Sequence, residues 1–269
     1  MGIQPDEILN PGDAPLSDEN PAQVLLKAAK ALKAEVIDPE TGMVDYAHLA
    51  VCNAYRDLRE AARSLANCNI GDLGDRSQQM AFWINLYNTL ILDAVVQYRI
   101  TGSLSRQINF FRRAAYRIGG MRFSADDIEH GVLRGNRRHP ALPFPPFAPD
   151  DPRLTTIIEP FEPLIHFALV CGARSCPPIA FYEGERLADQ LNLAAASFIN
   201  GGGVRFDRAT STLWLSKIFQ WYDRDFGGRA GILEMIKHYL DGQEASEIPN
   251  DRSVRIRFMP YDWSLNALL

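Results

Sequence analysis

The stretch AFWINLYNTLILDAVV (81–96) decides how the rest of the chain is organised. At helical spacing Ile84, Asn88, Ile91 and Val95 fall on one stripe, and Trp83, Tyr87, Leu90 and Ala94 on a second. A helix that is apolar nearly all round is a central one, and the pattern predicts it from about Ser77 to Tyr98. Asn85 and Asn88 are neighbours on one face of it. A buried amide without a partner costs about 1–3 kcal/mol, so both must be engaged. Two readings are open. The amides tie adjacent loops to the core, or they serve as an oxyanion donor and a substrate-orienting group.

Upstream, residues 1–20 are rich in Pro, Gly, Asp and Asn and read as a flexible lead-in to a single domain over 21–269. A helix is predicted from Ala22 to Ala34, with Asn20 as N-cap and Pro21 at its first position. Asp38 to Gly42 reads as a turn, and a second helical region covers Tyr46 to Ala66, ended by the break at Gly71 to Asp75. Downstream, Gly119-Gly120 marks a hairpin tip, and SADDIEHGVLR (124–134) a short helix capped by Ser124. The proline-rich stretch from His139 to Pro163 reads as an ordered surface loop. Leu164 to Cys171 fits a buried strand. A helix over Tyr182 to Asn200 ends at Gly201-Gly202-Gly203. Val204–Phe206 and Thr212–Ile218 read as a hairpin, Arg229 to Leu240 as a helix, and Val254 to Phe258 as a half-exposed strand. Helices first and strands later favour an α+β domain: a central mixed or antiparallel sheet packed by helices, with an N-terminal helical cap.

Composition narrows the function classes. The chain has 269 residues, with 28 Lys and Arg against 33 Asp and Glu, a formal charge of −5. Hydrophobic residues make up 46% and charged residues 23%, ordinary for a globular protein and contrary to disorder. The mild acidity argues against nucleic acid as a partner. MGIQPDEILNPGDAPL (1–16) has neither a basic start nor an apolar core, and no run of about 18 apolar residues occurs. No membrane partner is therefore expected. Four cysteines are too few for a disulfide scaffold, which suggests a cytoplasmic protein with mostly reduced thiols.

Chemistry-bearing residues gather in IHFALVCGARSCPPI (165–179). Read as a regular strand, it puts His166 and Cys171 on opposite faces, about 16 Å apart along the chain, and so excludes them as a dyad. Beyond it Gly172 and Ser175 permit a tight loop, and Cys176 stands directly before Pro177-Pro178. A helical turn beginning at Pro177 would make Cys176 its N-cap and stabilise the thiolate, with Arg174 adding to this. The alternative is that both cysteines are small buried hydrophobes. His130, beside Asp126, Asp127 and Glu129, is the first choice of base and His166 the second. His48, His139 and His238 fall in segments that read as exposed. Cys171 and Cys176 have zinc-knuckle spacing but no second ligand pair, so no metal and no cofactor is expected. LSKIFQWYDRDFG (215–227) reads as an internal ion-pair corner in preference to a pocket rim.

Several segments together resemble the family called domain of unknown function 547. They are VDYAHL (44–49), AFWINLYNTL (81–90), DDIEHGVLR (126–134), HFALVCGARSCPPI (166–179), FYEGERLADQLNLAAASFIN (181–200), LSKIFQWYDRDF (215–226) and YDWSLN (261–266). The likeness runs in order over about residues 40–269. It implies relatives in bacteria, plants and animals, many of the bacterial ones secreted, and some animal ones resembling fusions with a glutaredoxin-like domain. It implies no reaction. The expectation from the residues is a thiol-dependent hydrolase or acyltransferase acting on a small molecule or peptide. Cys176 attacks, His130 takes the proton, Glu129 orients the ring and Asn85 holds the oxyanion. Asn88, His166, Cys171, Arg174 and Ser175 would contact substrate. The alternatives are a non-enzymatic binding module and a redox module using Cys171 and Cys176.

Overall fold

A computed structural model describes residues 7–12, 19–242, 244–249 and 254–268. Its centre is a helix over Arg76–Gln97, in which every residue from Met80 to Val95 is buried. Asp75 caps it by accepting from Gln78 N, and the Gln78 side chain accepts from Asp75 N in return, a reciprocal capping box. Two more helices pack around it. Helix α1, Pro21–Val36, starts at Pro21 with Asn20 accepting from Ala22 N and Gln23 N, as its sequence predicts. Helix α2, Asn53–Ser64, lies against α1. The central helix is α3. It also buries Asp93, held by Tyr55 OH at 2.5 Å and Tyr116 OH at 2.9 Å.

The fold is a single α+β domain, but no large sheet runs through it. Strands β1, Ala115–Ile118, and β2, Met121–Ser124, form a hairpin that turns at Gly119-Gly120. Strands β3, Val204–Asp207, and β4, Thr212–Leu215, pair antiparallel, and β5, Arg255–Phe258, joins β4 in parallel. The sheets are therefore peripheral and the centre is helical. One apolar core surrounds α3, and a second is built from Phe167, Phe198, Phe219, Phe226 and Ile236 under the three-stranded sheet. Leu164 and Tyr261 pack against both.

The strand expected over Leu164 to Cys171 does not form. Pro163–Phe167 is a tight helical turn capped by the Glu162 carboxylate, and 168–171 is irregular. Asn88 explains how such an apolar run stays buried outside a sheet. Its amide oxygen accepts from Val170 N at 2.9 Å, and its nitrogen donates to Ala168 O at 3.0 Å and Ala180 O at 3.1 Å. A side chain thus supplies the partners that a neighbouring strand would have supplied. Asn85 does the same for Tyr182, bonding its N–H at 2.7 Å and its C=O at 2.8 Å. This pairing ties up the Tyr182 backbone outside any helix, so the helix predicted from Tyr182 starts only at Leu187, after a tight turn at Gly184–Arg186, and runs to Phe198. The lead-in also differs from expectation where it is described. Leu9 is buried, and the Asn10 side chain bonds Ala62 O, Arg117 N and Arg117 O. Residues 1–6 and 13–18 of that lead-in lie outside the described residues.

Candidate active site

A cavity of about 360 Å³ opens where the two cores meet, walled by Tyr87 and Leu169 on one side and Ile218 and Trp221 on the other. Glu129, His130, His166, Cys171 and Cys176 all reach it. The sequence reading placed these residues in the site, and all five line the cavity. The exclusion of a His166–Cys171 pair is corrected here. It assumed a regular strand, and the helical turn at Pro163–Phe167 shortens the path so that His166 and both cysteines line one cavity.

Cys171 Sγ and Cys176 Sγ lie 2.6 Å apart. The Tyr261 hydroxyl stands 3.1 Å from Cys176 and 3.4 Å from Cys171. No helix begins at Pro177, so Cys176 is not a helix N-cap. Its thiol is affected first by burial, which opposes ionisation. The Cys171 S–H and the Tyr261 O–H outweigh that and bring Cys176 below the ordinary thiol value. Cys171 moves up, because its proton is engaged by Cys176 and it is buried. Of the two sulfurs, Cys176 is the one that ionises more readily. Arg174 does not take the part expected of it. Arg174 N and Ser175 N bond Ser264 O and Asp262 O, and Ser175 Oγ accepts from Asp262 N. These two residues fasten the C-terminal segment that carries Tyr261, and neither lines the cavity.

His166 Nε2 meets Asp225 Oδ2 at 2.9 Å, and its ring stacks on Tyr222 at 3.8 Å. Asp225 also binds Arg134 Nε at 2.7 Å and Arg137 Nη1 at 3.0 Å. Burial opposes its charge, but His166 and Arg134 hold its carboxyl well below the usual range. His166 is itself lowered, by burial before anything else, so it is neutral. A neutral ring donating from Nε2 to a carboxylate keeps a lone pair on Nδ1, and among the described residues nothing hydrogen-bonds that atom.

The geometry suits His166 better than His130 to the part of base. His130 is 2% exposed and pushed down to about 3, mainly by burial. Its Nδ1 accepts from the Arg134 guanidinium at 2.9 Å. Arginine cannot give up its role as donor, so a proton on Nδ1 is blocked. Glu129 lies 3.9 Å from that nitrogen, outside hydrogen-bond reach, and instead accepts from Tyr222 OH at 2.5 Å. Asn85 and Asn88 are fully used in backbone pairing, and neither reaches the cavity.

Asp225, His139 and Tyr261, whose hydroxyl meets both sulfurs, were missed. Asp225 stood in the segment read as an ion-pair corner. It is one, and Trp221 and Tyr222 from that segment also wall the cavity. His139 is half-buried and lies 4.7 Å ring to ring from His130. Phe147 seats the proline-rich loop: a side chain at Gly131 would come within 2.3 Å of its ring, and Asn136 bonds both Phe147 N and Phe147 O. That anchoring brings His139 over the helical segment Asp127–Leu133.

Asp126, His130 and His139 each offer a polar atom within 4.8 Å of the others, a residue set that suits a metal ion. The ring hydrogen bonds point elsewhere. A ligating histidine ordinarily donates from its far nitrogen. Here His130 Nδ1 accepts from Arg134 and His139 Nδ1 accepts from Ala141 N at 3.0 Å. Both protons are thereby directed to Nε2.

The fold and cavity define an α+β protein with a paired-thiol and imidazole cluster between two cores. Residues 72–199 match the family model described as protein of unknown function, DUF547, and this stretch belongs to that family. Asp225, Tyr222 and Tyr261 lie beyond the matched residues. No curated protein and no solved structure matches the chain. Among the described residues no helix is long and apolar enough to cross a membrane.

Proposed function

We propose that the protein is a thiol-dependent hydrolase or acyltransferase acting on a small acyl compound or peptide end. The supporting observation is that an Asp225-oriented, neutral His166 and the Cys171–Cys176 pair open onto one cavity. Cys176 attacks the carbonyl carbon as a thiolate, and the departing alcohol or amine takes a proton from solvent. Water then adds to the thioester, His166 Nδ1 receives its proton, and the thiolate leaves with the free acid. In acyl transfer an alcohol or amine replaces the water. A compartment that keeps the thiols reduced, such as the cytoplasm, suits this chemistry.

The test is incubation with p-nitrophenyl acetate, followed by mass spectrometry of the intact protein and its peptides. An acetyl group on Cys176 that turns over, and that persists in His166→Gln, is the expected result. Absence of Cys176 acylation by this and by longer-chain esters overturns the reading. The contact between the two sulfurs favours a second reading, a dithiol redox module. Glutathione disulfide would then oxidise the pair to a Cys171–Cys176 bond, at a rate unchanged in His166→Gln.

A further inference from the structure

We propose that His130, His139 and Asp126 form a subsite for a carbonyl-type oxygen, the carboxylate or amide oxygen of the ligand that fills the cavity. Two backbone-and-side-chain contacts decide the ring tautomers. Arg134 donates to His130 Nδ1, and Ala141 N donates to His139 Nδ1. Each ring, being neutral, then carries its proton on Nε2. Burial lowers the basicity of both, which keeps them neutral.

Neither Nε2 has a hydrogen-bond partner among the described residues, although His130 is 98% covered. Such an atom must be either sealed in or open to the cavity. The sealed and unpartnered side-chain atoms among the described residues are Arg76 Nε, Thr89 Oγ1, Tyr98 OH and Tyr182 OH. His130 Nε2 is not one of them, so it faces the cavity that its residue lines. Polar atoms of Asp126, His130 and His139 lie within 4.8 Å of one another, so one oxygen can meet the set, and the buried His130 donor left without an acceptor costs about 1–3 kcal/mol. Asp126 adds to the set. Burial first, then Glu129 and Asp127, push its carboxyl up to about 7, so near neutral pH a substantial share of it carries the proton and can donate from O–H. A metal ion would need both Nε2 atoms deprotonated, and each Nδ1 would then carry a proton facing an N–H. Such a meeting of donors disfavours the ion. Aromatic walls at Tyr87, Phe111, Trp221 and Tyr222 suit an apolar body behind the oxygen.

As the place where a substrate of the thiol centre would rest its oxygen, the subsite builds on the reading above. The binding itself does not, and Cys176→Ser protein separates the two. Benzoate, benzamide and toluene are titrated into wild type and Cys176→Ser, with histidine side-chain nitrogens followed by NMR. The expected spectrum shows Nε2–H for His130 and His139 before addition. Benzoate or benzamide then moves both Nε2 signals and toluene moves neither, in both proteins. Preference for benzoate identifies a carboxylate ligand, and preference for benzamide a neutral carbonyl. His139→Phe, at a half-buried position, weakens the better probe about tenfold or more. Equal effects of toluene, or an affinity unchanged by His139→Phe, overturn the proposal. So does stoichiometric Zn²⁺ binding that moves the protons to Nδ1 and is lost in His139→Phe. Survival of oxygen binding without any Cys176 acylation would leave the subsite standing and remove only the thiol reading.

Discussion

Two sets of polar side chains sit in apolar surroundings, and they differ in what they hold. On the central helix Asn85 and Asn88 bond backbone groups of Tyr182, Ala168, Val170 and Ala180. In the cavity His130, His139 and His166 each use one ring nitrogen, and none bonds anything among the described residues through the other. Both sets had to be placed against the preference of polar groups for water. The first set is closed and acts as structure. The second is half open, and the open half is where a ligand or a proton can go. Number of engaged atoms, more than burial, separates struts from chemistry here: Asn88 and His130 are buried alike.

The sharpest way to break this comparison is Asn88→Leu. The substitution keeps size and strips the partners from Ala168 O and Val170 N, both buried. A loss on the order of 3 kcal/mol or more is expected in urea unfolding. The segment carrying His166 and Cys171 would be loosened with it, so the slow alkylation of Cys171 would become fast. A loss under about 1 kcal/mol would mean that the backbone finds other partners, and that Asn88 is not the strut described.

A smaller effect, in pH dependence, tests the open set. Asp126 titrates at about 7 in the folded protein, against roughly 3.9 in an unfolded chain. Between those values the folded state keeps a proton that the unfolded chain has released. Its contribution is therefore complete below about pH 4 and lost as pH rises through 7. His130, pushed down to about 3, and His166, lowered by burial, act in the other sense, weakening the fold as pH falls below 6.5. Asp225, held low by His166 and Arg134, contributes at neutral pH and loses its contribution only in strong acid. The difference between Asp126→Asn and wild type isolates one group. The variant should improve on wild type progressively from about pH 4 to 7 and by a constant amount above. A difference flat across that range would mean that Asp126 is ionised throughout and cannot donate to a ligand oxygen.

Local signals were legible in the sequence, and long-range ones were not. Asn20-Pro21 starts α1, as expected. Ser124 was predicted to begin the segment that follows it. Its hydroxyl accepts from Asp127 N, and its own N–H and O–H donate to the Asp127 carboxylate. Each of these signals lies within a few residues of what it controls. The strand wrongly expected at 164–171 has the same apolar run as a true interior strand. What distinguishes it is an amide 80 residues upstream that takes over its backbone bonds. Asp225 is 59 residues from the histidine that it orients. His139 read as exposed because its cover depends on Phe147 docking at Gly131. The residue types of the site could be read: His130, His166, Cys171, Cys176 and Glu129 were all named. Their roles could not be, since a histidine's role depends on which nitrogen is occupied, and that is set by partners distant in the chain.

The smallest expected effect on stability is the most telling for function. Cys176→Ser replaces a half-buried thiol with a hydroxyl that can still accept from Tyr261 and Cys171. The Ala173 and Cys171 backbone groups that bond the sulfur can bond the serine hydroxyl instead, so unfolding free energy should change by no more than about 1 kcal/mol. Reactivity should change completely. In wild type, iodoacetamide should label Cys176 near pH 7 faster than Cys171, whose proton is held. In Cys176→Ser, Cys171 loses the hydrogen bond and the charge of Cys176 that hold its proton, so it should label faster than in wild type, slowed only by burial. Should the serine variant instead lose as much stability as Asn88→Leu, the sulfur would belong with the struts and the cavity would be a packing feature. Labelling of Cys171 ahead of Cys176 in wild type would reverse the assignment within the pair, making Cys171 the thiolate and Cys176 its donor.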